Sequence, residues 1–382
     1  MTIKLYDNDS YATEFDATVI SCEKTEKGYK TLLDRTVFFP EEGGQCADRG
    51  EIDGVEITHV ELVGEDIYHY SETAFDVGAC VHGKIDFALR FRNMQNHTGE
   101  HIICGIAHKL FGYNNVGFHL GADYVTMDLD GELTAEDLQR IEKLANEAVY
   151  ANMPVSCRYP QPEELAEMDY RAKLDITENV RIVTVGDVDM CACCAPHVAK
   201  TGEIGIIKIL DAIRYKGGMR LNILCGSLAV EDYHQRYVRN VEISGLLSAK
   251  QQDIVSAVEK LLEDNNSLRQ QIGEKNKQIA SVIAEGVQPS EGNVCLYNGI
   301  LTPDMLRLVA NDAMDKVQGI LVVLCGNDSD GYKYVMATSQ GDISSRVKDA
   351  NTALNGRGGG KGSMAQGSFA STLEEIEKYF IN

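Results

Sequence analysis

The sequence predicts an α+β protein built from four consecutive pieces: a small N-terminal β-barrel, a mixed α+β domain, a long helix and a C-terminal α/β domain. Three observations predict it. Through residue 84, short alternating apolar and polar runs are broken by glycines, the pattern of half-buried strands and turns. From there to residue 228, helical spacing alternates with apolar runs of strand length. Beyond it a long helical stretch, heptad-spaced from Ile254 to Ile279, continues to residue 285, where Gly286 and Pro289 break it. The expected boundaries are therefore 1–84, 85–228, 229–285 and 286–382.

Taken in order, alternation marks 17–22 and 55–62 as strands, and Gly43, Gly44, Gly50 and Gly54 supply the turns. The stretch 91–110 is predicted helical, with Met94, His97, His101 and Ile102 near one another around the cylinder and Gly112 as its stop. Strands at 116–120 and 124–129 follow. Thr134 then opens a helix reaching about residue 152, with Asp137 as a weak capping-box partner. After a shorter helix near Glu163, the apolar runs 180–185, 204–210 and 221–225 read as strands.

A single long helix is predicted over 229–284. In it Ile254, Val258, Leu261, Asn265, Leu268, Ile272, Lys275 and Ile279 step by four and three, the signature of a coiled coil. Asn265 and Lys275 cost stability at such a seam and suit one whose register or partner number is specified. Packing on the protein's own body is the alternative, given Gly273. In the last piece Thr302 and Pro303 open a helix, 320–324 and 334–337 are strand-like, and helical 344–354 leads into the glycine run 356–362.

Composition bounds the setting. No run approaches the roughly 18 apolar residues of a membrane span, and the first ten residues lack the basic-then-apolar pattern of a secretory signal. The 11 cysteines, odd in number and mostly scattered, do not suggest a disulfide framework, so a cytosolic setting is expected. The formal net charge of -22 opposes non-specific nucleic-acid binding; an RNA ligand would need a local basic patch.

Chemistry concentrates in two segments. His97 and His101 stand four apart, so on a helix they point the same way one turn apart, as two ligands of one ion do. Cys193 and His197 form a second chelating pair after a predicted strand, and thiolate plus three imidazoles complete a tetrahedron for zinc. Cys191 and Cys194 compete with Cys193 for the thiolate position. The first pair also fits the inverted HxxEH pattern of zinc proteases, with Glu100 as general base. Such proteases complete their site with a carboxylate, whereas the partner offered here is a Cys/His pair.

Two glycine-rich segments remain. In 36–50 a strand runs into a tight turn, where Gly43 and Gly44 let backbone approach a ligand beside Gln45, which both donates and accepts hydrogen bonds. An ordinary hairpin turn is the plainer alternative. The run 356–362 fails as a phosphate loop: Lys361 is followed by Gly362, Asn355 occupies the first glycine position, and a helix precedes it. It is not an ATP site. Arg357 and Lys361 on that loop are expected to contact RNA phosphate, a plain connector being the alternative.

The turn 36–50, the helix 94–101 and the segment 193–205, in that order, resemble alanyl-tRNA editing domains. The long helix and the tail with 358–366 resemble the C-terminal DHH-associated domain of alanyl-tRNA synthetases. With no aminoacylation domain ahead of them, the whole chain is similar to free-standing, long-form AlaX-type trans-editing proteins. The resemblance implies hydrolysis of the ester joining serine or glycine to the terminal ribose of alanine tRNA. It carries the zinc ligands to His97, His101, Cys193 and His197, and places Thr36 and Gln45 near the amino-acid pocket. The chain departs from the family between its Cys and His ligands, where Cys194, Ala195 and Pro196 replace two glycines and a threonine. A site built to hydrogen-bond serine's hydroxyl is left with unpaired polar groups by alanine, which can discriminate by roughly 10⁴–10⁵; Thr36 is the expected partner. A homodimer through the C-terminal half is expected. The alternatives are an HxxEH zinc protease and a non-catalytic, zinc-containing tRNA-binding protein.

Overall fold

The computed structural model describes residues 1–26, 28–121, 124–172 and 179–381, and the chain divides into two compact units, Met1–Val241 and Glu242–Asn382. Among the described residues no helix is long and apolar enough to cross a membrane.

In the first unit, strands Glu14–Thr25, Gly28–Leu33, Asp66–Ser71, Val55–Val63, Gly50–Ile52 and Cys80–Ile85 close a barrel in that order. Strict alternation drives it: Phe15, Ala17 and Val19 point inward from the first strand and join Leu33, Ile52, Ile57, Val60 and Ile67 in one apolar interior.

Asp86 caps the helix Phe87–Phe111, accepting from the Leu89 amide at 3.0 Å, and Gly112 ends it at φ 74°. Every residue from 93 to 107 on this helix is buried. It therefore has no solvent face in that stretch. It packs against a four-stranded sheet, ordered Ile207–Tyr215, Gly218–Cys225, Val125–Leu129, Asn115–Leu120, and against the helix Ala135–Tyr150. Gly99 makes that approach possible, because a Cβ there would lie 2.3 Å from the Cys225 Sγ. The Ala135–Tyr150 helix begins with a full capping box between Thr134 and Asp137. A three-stranded meander, Val155–Arg158, Ile182–Val185 and Asp189–Ala192, leads to the loop carrying Cys193.

Two predicted features of the second half are corrected. The single helix over 229–284 is two, Ser227–Leu247 and Ile254–Gly286, with a 3-10 turn at Gln251–Asp253 before the second. Ser248 adopts φ 50°, which no helix tolerates, and the Ser244 hydroxyl and carbonyl cap the break by bonding Ala249. The glycine run is a strand, Arg357–Lys361, at the edge of a five-stranded sheet and paired with Met364–Phe369. Gly358 and Gly360 serve packing: a Cβ on Gly358 would sit 2.8 Å from the Tyr334 hydroxyl, and one on Gly360 2.3 Å from the Met364 carbonyl oxygen.

That sheet runs Val294–Tyr297, Leu321–Asn327, Gly331–Ala337, Met364–Phe369, Arg357–Lys361. Only its first pair is parallel, so the predicted α/β domain is a mixed sheet; short hairpins join Leu321–Asn327 to Gly331–Ala337 and Arg357–Lys361 to Met364–Phe369 and dictate antiparallel pairing there. Leu321, Val323 and Cys325 face the helix Pro303–Ala313, while Val322 and Leu324 face the helices Ser344–Ala353 and Leu373–Ile381. Burial on both faces explains the unbroken apolar run.

Candidate metal centre

The two chelating pairs meet. The side-chain donor atoms of His97, His101, Cys193 and His197 all lie within 4.8 Å of one another. The three histidines are buried, with His97 and His101 projecting from successive turns of the buried helix. Their ring centroids stand 4.7–5.5 Å apart.

The Cys193 Sγ lies 3.5 Å from the Nε2 of His97 and 3.5 Å from the Nε2 of His197. Tetrahedral zinc with Zn–S near 2.3 Å and Zn–N near 2.0–2.1 Å places sulfur and nitrogen about 3.5–3.6 Å apart. The quartet therefore fits zinc in donor chemistry and in spacing. It does not have the two-histidine, one-carboxylate set of the HxxEH proteases. The Glu100 Oε1 accepts instead from Asn115 and, at 3.2 Å, from Cys104.

Each imidazole is held through its other nitrogen. The Nδ1 of His97 meets the Gln45 Oε1 at 2.9 Å, that of His197 the Thr98 hydroxyl at 3.0 Å, and that of His101 the Asp189 carboxylate at 2.9 Å. Such partners fix the tautomer and ring orientation that leave Nε2 free to ligate. Asp189 is itself fixed by Arg171 at 2.8 and 2.9 Å. Arg181 holds the cysteine loop by donating to the carbonyls of Cys193 and Ala195 at 3.0 and 2.8 Å.

Electrostatics separates the three candidate thiols. Burial by itself would push the Cys193 thiol up, but the three surrounding imidazoles outweigh it and hold it well below the usual range. Burial pushes Cys191 and Cys194 the other way. Burial also drives His197 down to about 3, so it is neutral. His101 is buried as well, but Asp189 and Cys193 reverse the effect and raise it well above an ordinary imidazole. Burial would raise the Asp189 carboxyl; His101 and Arg171 overcome that and bring it down to about 2. Cys191 belongs to a second grouping with His101 and Asp189, while Cys194 points toward Glu42 and Gly43.

A cavity of about 330 Å³ opens onto the quartet, lined by His97, His101 and Cys193 with Lys4, Glu42 and Tyr159 among its walls. Gln45 reaches the site through His97, on a turn whose Gly43 and Gly44 sit at φ 63° and 84°. Thr36 is fully buried on a short strand paired with Lys4 of the cavity wall, its hydroxyl 2.9 Å from the His69 Nε2 and accepting from the Phe38 amide at 3.1 Å. Burial drives His69 down to about 4, so this partner is neutral. Arg357 and Lys361 belong to the second unit, both exposed on its edge strand.

Reading the sequence missed Asp189, Thr98, Arg171 and Arg181. One signal was present: Asp189, Cys191 and Cys193 are spaced by two, so a strand through the first two aims both side chains to the face where the metal pairs meet. Thr98, lying between the two histidine ligands, gave no signal of its own.

Residues 180–221 match the family described as threonyl and alanyl tRNA synthetase second additional domain. The chain is 30% identical to the alanyl-tRNA editing protein AlaX-L of Pyrococcus horikoshii, covering 98% of this chain and 96% of that one. It is 27% identical to the alanyl-tRNA editing protein Aarsd1 of Mus musculus, over 98% of this chain and 95% of the other. Alanine–tRNA ligase of Ignicoccus hospitalis is 26% identical over 95% of this chain but only 41% of its own length.

Proposed function

The chain belongs to the alanyl-tRNA editing proteins, and from that premise we propose that it is a zinc-containing trans-editing hydrolase, removing serine or glycine from mischarged alanine tRNA. The observation that carries the reading is the convergence of three imidazoles and one thiol beside a cavity that His97, His101 and Cys193 line and that is large enough for an amino-acid ester. Bound there, zinc supplies positive charge and fixed geometry beside the ester. Gln45, Thr98 and Asp189 keep the imidazoles aimed at that point, and the buried helix beneath them removes the freedom to drift. Aminoacyl esters are labile, so holding ester and water in register supplies much of the required acceleration. A cytosolic setting suits the reading, since it keeps Cys193 reduced.

The test is incubation of serine-, glycine- and alanine-charged alanine tRNA with the purified protein. Serine and glycine should be released and alanine retained. No turnover on any of the three would leave a non-catalytic, zinc-containing tRNA-binding protein.

The same assay examines Thr36. Thr36→Val keeps shape but removes the hydroxyl, and seryl-ester hydrolysis should fall several-fold more than glycyl-ester hydrolysis, with zinc retained. Stability should also drop by about 1–3 kcal/mol, because His69 and the Phe38 amide lose a buried partner. Equal effects on both esters would assign Thr36 to barrel packing alone.

The second unit is proposed to pair two copies and assist tRNA capture. In helix Ile254–Gly286 only Ala280 and Ala284 are buried, while the heptad residues Leu261, Leu268 and Ile272 are 56–58% exposed. A parallel or antiparallel partner helix from a second copy would cover that seam. Arg357 and Lys361, four apart on the edge strand, share one face and suit phosphate. Arg357→Ala with Lys361→Ala should weaken tRNA binding and lower its salt slope by about two. Binding titrations at two salt concentrations check this; an unchanged slope would remove both residues from the RNA contact.

A further inference from the structure

On the far side of the Gln45 turn lies a second cleft, of about 540 Å³, lined by Cys46, Arg49, Arg92, Asn93, Leu120 and Ser227 among others. The turn separates the two spaces: Glu42 and Gly43 face the metal cavity, Cys46 and Arg49 the cleft. Asn93 stands four residues before His97 on the buried helix, about 6 Å along its axis.

Three features of the cleft point to a ligand. Asn93 is 1% exposed, yet its Oδ1 has no hydrogen-bond partner, and the Arg92 Nε is buried and equally unpartnered. Polar atoms are rarely left so in a finished interior. Neither Arg49 nor Arg92 has an acidic partner among the described residues. The carboxylate lining the cleft, Asp86, is engaged on the Leu89 amide. In the metal cavity both guanidinia have acidic partners, Arg171 in Asp189 and Arg181 in Asp7, although the Arg181 Nη2 is buried without a hydrogen bond. A chain of net charge -22 that handles RNA needs uncommitted cations near its chemistry, and these are two.

We propose that this cleft binds the single-stranded 3′ end of the tRNA: Arg92 and Arg49 take the phosphodiester nearest the ester, and Asn93 accepts from a ribose 2′-hydroxyl. The assignment rests on the editing reading and extends it, adding a subsite that reads RNA beside one that reads the amino acid. A 2′-hydroxyl is the feature by which a protein distinguishes RNA from DNA at one position, and an unpartnered buried carbonyl oxygen is its complement. Arg92 and Arg49 are positioning residues, acting on the backbone and leaving the ester to the metal site.

The experiment compares full-length wild type with Arg92→Gln, Arg49→Gln and Arg92→Lys on seryl-charged alanine tRNA at two salt concentrations. Arg92→Gln should raise KM about tenfold with kcat within about twofold, and make the salt slope shallower by about one. Arg49→Gln should do the same to a smaller extent, because its side chain is exposed. Arg92→Lys should recover most of the KM, since a point charge still serves phosphate. Hydrolysis of 3′-O-seryl adenosine, an ester without phosphate, should be the same in all four proteins. Unchanged KM and salt slope in both glutamine variants overturns the proposal, as does an equal loss on the phosphate-free ester. Equilibrium binding of uncharged alanine tRNA separates this from the parent reading. If wild type hydrolyses no seryl ester, the editing reading fails, and a weaker, less salt-dependent tRNA complex in Arg92→Gln still supports the cleft.

Discussion

Cys193→Ala and His101→Ala should each reduce bound zinc from about one ion per chain to near zero, and should lower seryl-tRNA hydrolysis by about two orders of magnitude or more. The expectation follows from geometry. The thiol sits at ligand spacing from two imidazoles, and removing it deletes the one anionic donor of the quartet. His101→Ala leaves Asp189 still neutralised by Arg171, so the loss is of a ligand rather than of charge balance. Cys191→Ala and Cys194→Ala are the controls and should retain the metal, because neither belongs to the four-group cluster. Elemental analysis of the four variants decides the assignment. Zinc kept by both ligand variants would sink it, and zinc lost from Cys191→Ala alone would move the thiolate to that residue.

A second large effect lies away from the metal. Arg90 and Asp48 form an ion pair with both side chains 0% exposed. Arg90 also donates to the carbonyls of Ser10 at 3.1 Å and of Val37, and Asp48 accepts from the Phe39 amide at 2.6 Å. These bonds tie the turn carrying Gln45 to the helix carrying His97. Asp48→Asn preserves shape but leaves a buried guanidinium without its counter-charge, which should cost about 3–5 kcal/mol. Urea unfolding of zinc-free protein measures it. The double variant Arg90→Met with Asp48→Leu should lose less than the sum of the single changes, since no charge is then stranded. Additive losses would show that the pair does not act as one unit. Zinc affinity should fall in Asp48→Asn as well, because Gln45 loses its anchorage relative to His97.

Much of the local structure was legible because it depends on near neighbours. Thr134 and Gly112 announce helix ends through bonds spanning a few residues, and alternation over 17–22 declares a half-buried strand, whereas the Asp86 cap, ahead of the expected start at 91, was missed. The division of the long helix at Ser248 was not legible in this way. The heptad positions begin only at Ile254, so nothing in that spacing marks Ser248, whose left-handed backbone is set by the Ser244–Ala249 contact. Nor was the Arg357–Lys361 strand, since glycines carry no periodicity to read and only the neighbouring Tyr334 and Gly367 show why side chains are excluded.

For the site, the chain itself determined the two chelating pairs, because spacing of four on a helix, or across a short loop, brings two donors together with little else required. Tertiary structure alone decided that the pairs meet across 96 residues, that Cys193 rather than its two neighbours stands with the three imidazoles, and that Gln45, Thr98 and Asp189 meet the rings from 52, 99 and 88 residues away. It also decided that the Thr36 hydroxyl is buried beside His69. The physical reason is range. Local spacing constrains a few dihedral angles and survives in any fold that keeps the helix, whereas a contact between distant segments exists only where packing around the buried helix Phe87–Phe111 brings strand, loop and turn to the same place.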